Sequence, residues 1–94
     1  MNKWQLLMVR HSKWCDQMSG RGVPENYITS TRLEFLRKLQ KNKCIYCAIE
    51  MQTENRRKKD GLTMERIWND QPHIMTNCFL CCKSCNSKHQ RLVR

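Results

Sequence analysis

The sequence predicts a small α+β domain stapled by a structural zinc ion, and three observations predict it. Cys44-Ile-Tyr-Cys47 and Cys82-Lys-Ser-Cys85 are two C-x-x-C pairs separated by a long insert. Apolar residues upstream of the first pair recur at helical spacing, and those inside the insert alternate loosely as in a strand. A chain of 94 residues has a thin core for its size, for which a bound metal is a usual remedy. Two thiolates from one tight turn bind one ion, and tetrahedral Zn²⁺ takes four.

Trp4, Leu7, Met8, His11, Trp14 and Cys15 fall near helical spacing within residues 1–18, which predicts a first helix with these residues on its apolar face. His11 reads as a surface or packing histidine. Ser19-Gly-Arg-Gly-Val-Pro24 ends the helix, because two glycines and a proline favour turns. Thr31 and Glu34 have capping-box spacing and Leu33, Leu36 and Leu39 follow, predicting a second helix that stops near Asn42. Arg32, Arg37, Lys38 and Lys41 make one side of it cationic. Residues 1–43 thus read as a helical basic extension, and residues 44–94 as the metal-stapled domain.

Residues 44–51 read as a zinc knuckle and the start of a strand, with Ile45, Tyr46 and Ile49 available for packing. Residues 53–60 are polar and should form an exposed loop whose Arg56, Arg57, Lys58 and Lys59 could grip phosphate. A strand over residues 62–68 carries Glu65 near its end. Asn69-Asp-Gln-Pro72 is a turn, residues 74–80 return as an extended segment, and residues 83–93 form a final helix. Cys78-Phe-Leu-Cys81 has the same spacing as the chosen second pair. Cys82 and Cys85 are preferred because Ser84, Asn86 and Ser87 interrupt the apolar run there, whereas a half-buried strand would hold Cys78 and Cys81 as small core residues.

The formal charge is +10, and four thiolates with one Zn²⁺ would lower it to about +8. Such a balance implies a polyanionic partner, nucleic acid above all, with DNA ahead of RNA. No apolar run reaches the length of a membrane span. Seven cysteines, an odd number arranged partly as C-x-x-C pairs with no signal peptide, imply reduced thiols. The expected setting is an intracellular reducing compartment: cytoplasm, nucleus, or a virus- or phage-infected cell.

From Cys44 to about residue 90 the order of residues resembles the HNH endonuclease family. The matching positions are Cys44-x-x-Cys47, then Glu65-Arg66-Ile67, then Asn77, then Cys82-x-x-Cys85-Asn86 with Lys88 close behind. The resemblance implies a ββα-metal, treble-clef-like core preceded by the two N-terminal helices. It further implies that Glu65 and Asn86 hold Mg²⁺ or another divalent cation, and that Asn77 braces a loop with its side chain. Two positions depart from the family pattern: Glu65 replaces an aspartate, and Arg66 stands where the family has its general-base histidine. Arginine stays protonated, so Arg66 suits phosphate binding instead. His73, after the proline turn, is the nearest replacement base in sequence, and His89 lies about one helical turn beyond Asn86.

The function these expectations define is a nucleic-acid-binding protein that cleaves DNA with a divalent metal. The alternative is a non-catalytic zinc-stapled module for DNA or RNA, or a subunit of a larger assembly, as Arg66 suggests. A protein-interaction module whose charge only aids solubility is the third reading. A chain without a separate recognition domain implies low sequence specificity, or a partner protein that supplies it.

Overall fold

A computed structural model describes the backbone of residues 3–92 and the side chains of residues 3–88. Its elements are three helices and a two-stranded sheet, in the order α1 (Lys3–Met18), α2 (Ser30–Leu39), β1 (Leu62–Arg66), β2 (Cys78–Cys82) and α3 (Lys83–Leu92). Contacts divide the chain into two compact units that interleave in sequence: Met1–Phe35 with Arg66–Cys78, and Leu36–Glu65 with Phe79–Arg94.

In the first unit, α1 buries Trp4, Met8, Ser12 and Asp16, one residue in every four, with Gln5 beside them. This corrects the expected face: Leu7 and Trp14 are exposed. The inward stripe ends on a carboxylate because Asp16 has partners elsewhere in the unit. Tyr27 donates its hydroxyl proton to it, Arg21 Nε lies at 2.6 Å, and the His73 backbone N–H and Nδ1 lie at 3.0 and 2.8 Å. A stripe of this kind need not be apolar once its polar end is saturated. At the end of α1, Arg21 N–H bonds to Asp16 O and Gly20 N–H to Gln17 O, with Gly20 at a φ of 77°. This is a Schellman cap with glycine at the left-handed position.

The second helix begins two residues earlier than expected. Thr29 Oγ1 accepts from Arg32 N–H at 3.1 Å, so Thr29 is the N-cap, and Arg32 stands where a capping box would need Glu or Gln. Tyr27 pairs with Ile74 in an isolated bridge, and Ile28 N–H donates to His73 O at 2.8 Å, which ties the loop before β2 to the segment before α2.

In the second unit, Leu36, Met51, Leu62, Leu80, Cys81 and Cys82 make the core. The α2 C-terminus closes with Asn42 N–H on Arg37 O and Lys41 N–H on Lys38 O, another Schellman pattern, with the non-glycine Lys41 at a φ of 54°. Gln40 then does the work of a neighbouring strand. Its Nε2 donates to Leu80 O at 2.8 Å and to Lys43 O at 2.9 Å, while its Oε1 accepts from Leu80 N–H at 3.0 Å. The outer edge of β2 is therefore paired by a side chain at its centre.

Both strands are shorter than the sequence implies. β1 stops at Arg66, and β2 starts only at Cys78, because residues 68–72 are held as a loop by the Asn77 side chain. Cys78, Leu80, Cys81 and Cys82 are buried along β2, with Phe79 alone turned outward.

Candidate metal centre

The first cysteine pair sits in a tight hairpin. Lys43 bridges Glu50, Cys44 N–H donates to Ile49 O at 2.9 Å, and Ala48 N–H donates to Cys44 O at 3.0 Å. Ala48 takes a φ of 62° directly after Cys47, the left-handed step that turns the chain back. Ile45, Tyr46 and Ile49 are exposed around the knuckle and do not enter the core as expected. The second pair spans the junction of β2 and α3, so Cys82 is fixed by the sheet and Cys85 by the first helical turn. Ile45 N–H donates to Leu80 O at 3.2 Å and joins the two halves.

The sulfur atoms of Cys44, Cys47, Cys82 and Cys85 all lie within 4.8 Å of one another, close enough to hold one metal ion. Cys47 Sγ and Cys82 Sγ are 3.8 Å apart. Zn–S bonds of about 2.3 Å in a tetrahedron give an S···S edge of about 3.8 Å, so the set fits that ion. Backbone N–H groups of Tyr46 and Cys85 point at Cys44 Sγ and Cys82 Sγ, each at 3.4 Å, and would stabilise bound thiolates.

Protonation follows the same logic. Burial works against a charged Cys44, yet the N–H groups around its sulfur outweigh it and bring the thiol to about 7. Burial and the neighbouring sulfurs push Cys82 and Cys85 upward. Four sulfurs this close cannot all ionise unaided, and a divalent cation among them supplies the missing charge. Cys78 and Cys81 stand outside the cluster; burial raises both thiols to about 12, which suits core packing. Among the described residues, this is the one group of three or more His, Cys, Asp or Glu side chains that could hold an ion.

Glu65 and Asn86 lie in the second unit with the cysteines. Thr63 and Glu65 are two residues apart on β1 and so share a face of the sheet. Asn86 Nδ2 donates to Thr63 Oγ1 at 3.1 Å, and Thr63 Oγ1 donates to Cys81 O at 2.8 Å. That chain of bonds brings the first turn of α3 against the Glu65 face. Glu65 accepts from the Tyr46 hydroxyl, and burial together with that carboxylate holds the phenol above its ordinary range, as a donor. Sequence reasoning missed Tyr46 and Thr63 as partners here; only the period of β1 pointed toward Thr63.

Asn77, Arg66 and His73 belong to the first unit. Asn77 is buried: Oδ1 accepts from Trp68 N–H at 2.8 Å, and Nδ2 donates to Trp68 O and Pro72 O at 3.1 and 3.0 Å. The loop it braces joins the two strands. Arg66 donates to the carbonyls of Asn69 and, at 3.1 Å, of Gln71, on the same loop. His73 gives its Nδ1 to Asp16, which holds the ring in one orientation. Burial lowers the His73 value and outweighs the pull of Asp16, and so favours the neutral imidazole. Asp16, the residue that orients it, carried no sequence signal. The His89 side chain lies outside the described residues.

The basic loop folds back on α3. Ser84 N–H donates to Lys59 O, Lys83 N–H to Gly61 O, and Lys83 Nζ to Arg57 O, all at 2.9–3.0 Å. A Cβ at Gly61 would run into the Arg56 carbonyl, so this turn needs glycine. Arg57, Lys58, Lys59 and Lys88 are exposed and Arg56 is half-buried. Among the described residues no helix is long and apolar enough to cross a membrane. No protein-family model matches the chain, and no curated protein or solved structure is significantly similar to it.

Proposed function

We propose that this protein is an HNH-type, zinc-stapled DNA endonuclease that binds nucleic acid through its cationic surface. One observation carries the reading: the four-cysteine centre and the Asn86–Thr63–Cys81 hydrogen bonds set the start of α3 against the face of β1 that bears Glu65. Zinc fits the four-thiolate set by chemistry and by sulfur spacing. Glu65 and Asn86 offer the oxygen donors that Mg²⁺ prefers. A divalent ion there would stabilise the negative charge that develops on the cleaved phosphate. Tyr46 orients the Glu65 carboxylate, and Thr63 orients Asn86.

A second reading, a DNA- or RNA-binding module or assembly subunit without catalysis, is favoured by Arg66. It occupies the position of the family's base and spends its guanidinium on the carbonyls of Asn69 and Gln71.

Incubation with supercoiled plasmid and Mg²⁺ or Mn²⁺, against an EDTA control with zinc content measured in parallel, separates the two. Nicking by the wild type that Glu65→Ala and Asn86→Ala abolish, with zinc and DNA binding retained, supports the enzyme. Binding without cutting under any divalent ion sinks the enzyme and leaves the module. Arg66→His sharpens the test, since restoring a base typically returns about 10²–10⁴-fold in rate.

A further inference from the structure

The four cations of the basic loop are not equivalent. Arg57 and Lys59 line a cleft of about 350 Å³ whose other wall is the first turns of α3, with Lys83, Ser84, Ser87 and Lys88. Arg56 and Lys58 do not line it. Ser84, Ser87 and Lys88 follow the three- and four-residue spacing of one helix face, so hydroxyls and an ammonium converge from that side. The lining has four cations, no carboxylate and no aromatic ring. Small-molecule pockets are lined mainly by hydrophobic and aromatic residues, and single-strand platforms need rings on which bases stack. A cleft with neither, but with cations and hydroxyls, matches the phosphodiester backbone, whose contacts are made by Lys, Arg and Ser.

We infer that this cleft is the phosphate-backbone seat for duplex DNA. Arg57, Lys59, Lys83 and Lys88 supply charge, Ser84 and Ser87 supply hydrogen bonds, and Arg56 and Lys58 stay outside it. The inference rests on the nucleic-acid reading above and narrows it to one surface. Because contacts to the phosphodiester backbone carry no sequence information, its grip should be indifferent to sequence. The loop is held by its backbone: Lys59 O accepts from Ser84 N–H and Arg57 O from Lys83 Nζ. Truncating the Arg57 and Lys59 side chains therefore leaves the wall of the cleft in place.

The test is the salt dependence of binding to two unrelated labelled DNA duplexes, for two double variants of equal charge. Arg57→Ala with Lys59→Ala should flatten the slope of log K against log salt by about 1.8 and weaken binding about 30-fold at 0.15 M salt. Arg56→Ala with Lys58→Ala removes the same charge and should cost less than about a third of that slope change. Ser87→Ala should weaken binding about fivefold with its slope unchanged, the mark of a neutral hydrogen bond. Equal losses from the two double variants, or a preference for one duplex that follows Arg57 and Lys59, would overturn the cleft while leaving nucleic-acid binding intact. A wild-type protein that binds neither duplex at low salt overturns both. Zinc content and circular dichroism confirm folding, and Lys88→Gln, on the helix wall, repeats the test should the loop variant be unfolded.

Discussion

Gln40→Ala tests whether a single side chain can serve as the missing neighbour of β2. Leu80 is fully buried, and its N–H has Gln40 Oε1 as partner at 3.0 Å. Leu80 O would keep Ile45 N–H at 3.2 Å after truncation, so the N–H is the group left stranded. An unsatisfied buried donor costs about 1–3 kcal/mol, and the lost bonds to Leu80 O and Lys43 O bring the expected destabilisation to about 2–4 kcal/mol. Urea unfolding at fixed free Zn²⁺ measures it as a lower midpoint with unchanged slope. In small zinc domains folding and metal binding are one event, so the same loss should weaken zinc by about 30-fold or more. Gln40→Glu should cost as much at pH 7, because its carboxylate would face the carbonyls of Leu80 and Lys43. Relative to the wild type at the same pH, it should recover partly in mild acid, where the protonated group can donate again. A Gln40→Ala midpoint equal to the wild type, or a Gln40→Glu protein as stable as the wild type at pH 7, would refute the reasoning.

Two further outcomes follow from the buried groups. Cys82→Ser should lose stoichiometric zinc and melt the second unit, whereas Cys78→Ser should keep one zinc per chain; metal analysis and circular dichroism decide, and a folded, zinc-loaded Cys82→Ser protein would reassign the ligands. The first unit should weaken in two stages on acidification. His73 is held below its ordinary 6.5, so its contribution is complete above that pH and is lost as pH falls toward the lower folded value. Asp16 is held below its ordinary 3.8, because the hydrogen bonds from Tyr27, His73 and Arg21 outweigh the burial that opposes its charge. Its contribution is complete above pH 3.8 and is lost only in stronger acid. An NMR titration of the His73 ring with a midpoint at or above 6.5 contradicts the first stage.

The cysteine pairs were legible because a shared metal site would impose a spacing within a few residues of chain, and the four sulfurs do converge. Polar residues after Cys82 also distinguished the clustered pair from Cys78 and Cys81, which burial keeps in the core. The existence of α1 was legible from its period, but its inward face was not. Asp16 is buried by Tyr27 and His73, partners 11 and 57 residues away, and no local pattern reports them. The cap of α2 misled for a related reason: Thr29 and Thr31 are chemically alike, and only the Thr29 bond to Arg32 N–H tells which one begins the helix. The strands came out short because Asn77 claims the backbone of Trp68 and Pro72, a competition between side chain and ladder that alternation does not register. Gln40 lay outside any motif, since a side chain acting as backbone leaves no periodicity.

A metal ion held by the four cysteines would also bear on how quickly the chain can find its fold. Cys47 and Cys82 are 35 residues apart, and closing a loop of that length costs about 3–4 kcal/mol of chain entropy. The 44–47 hairpin closes over a few residues and can capture an ion before β1 and β2 have met. An ion already held by two sulfurs raises the effective concentration of the other pair and turns a distant encounter into a tethered one. Refolding should therefore run at a rate set by free Zn²⁺ at low concentration and become independent of it once the hairpin is saturated. Zinc in this chain would then act as a pacemaker of assembly as well as a fastener of the finished structure.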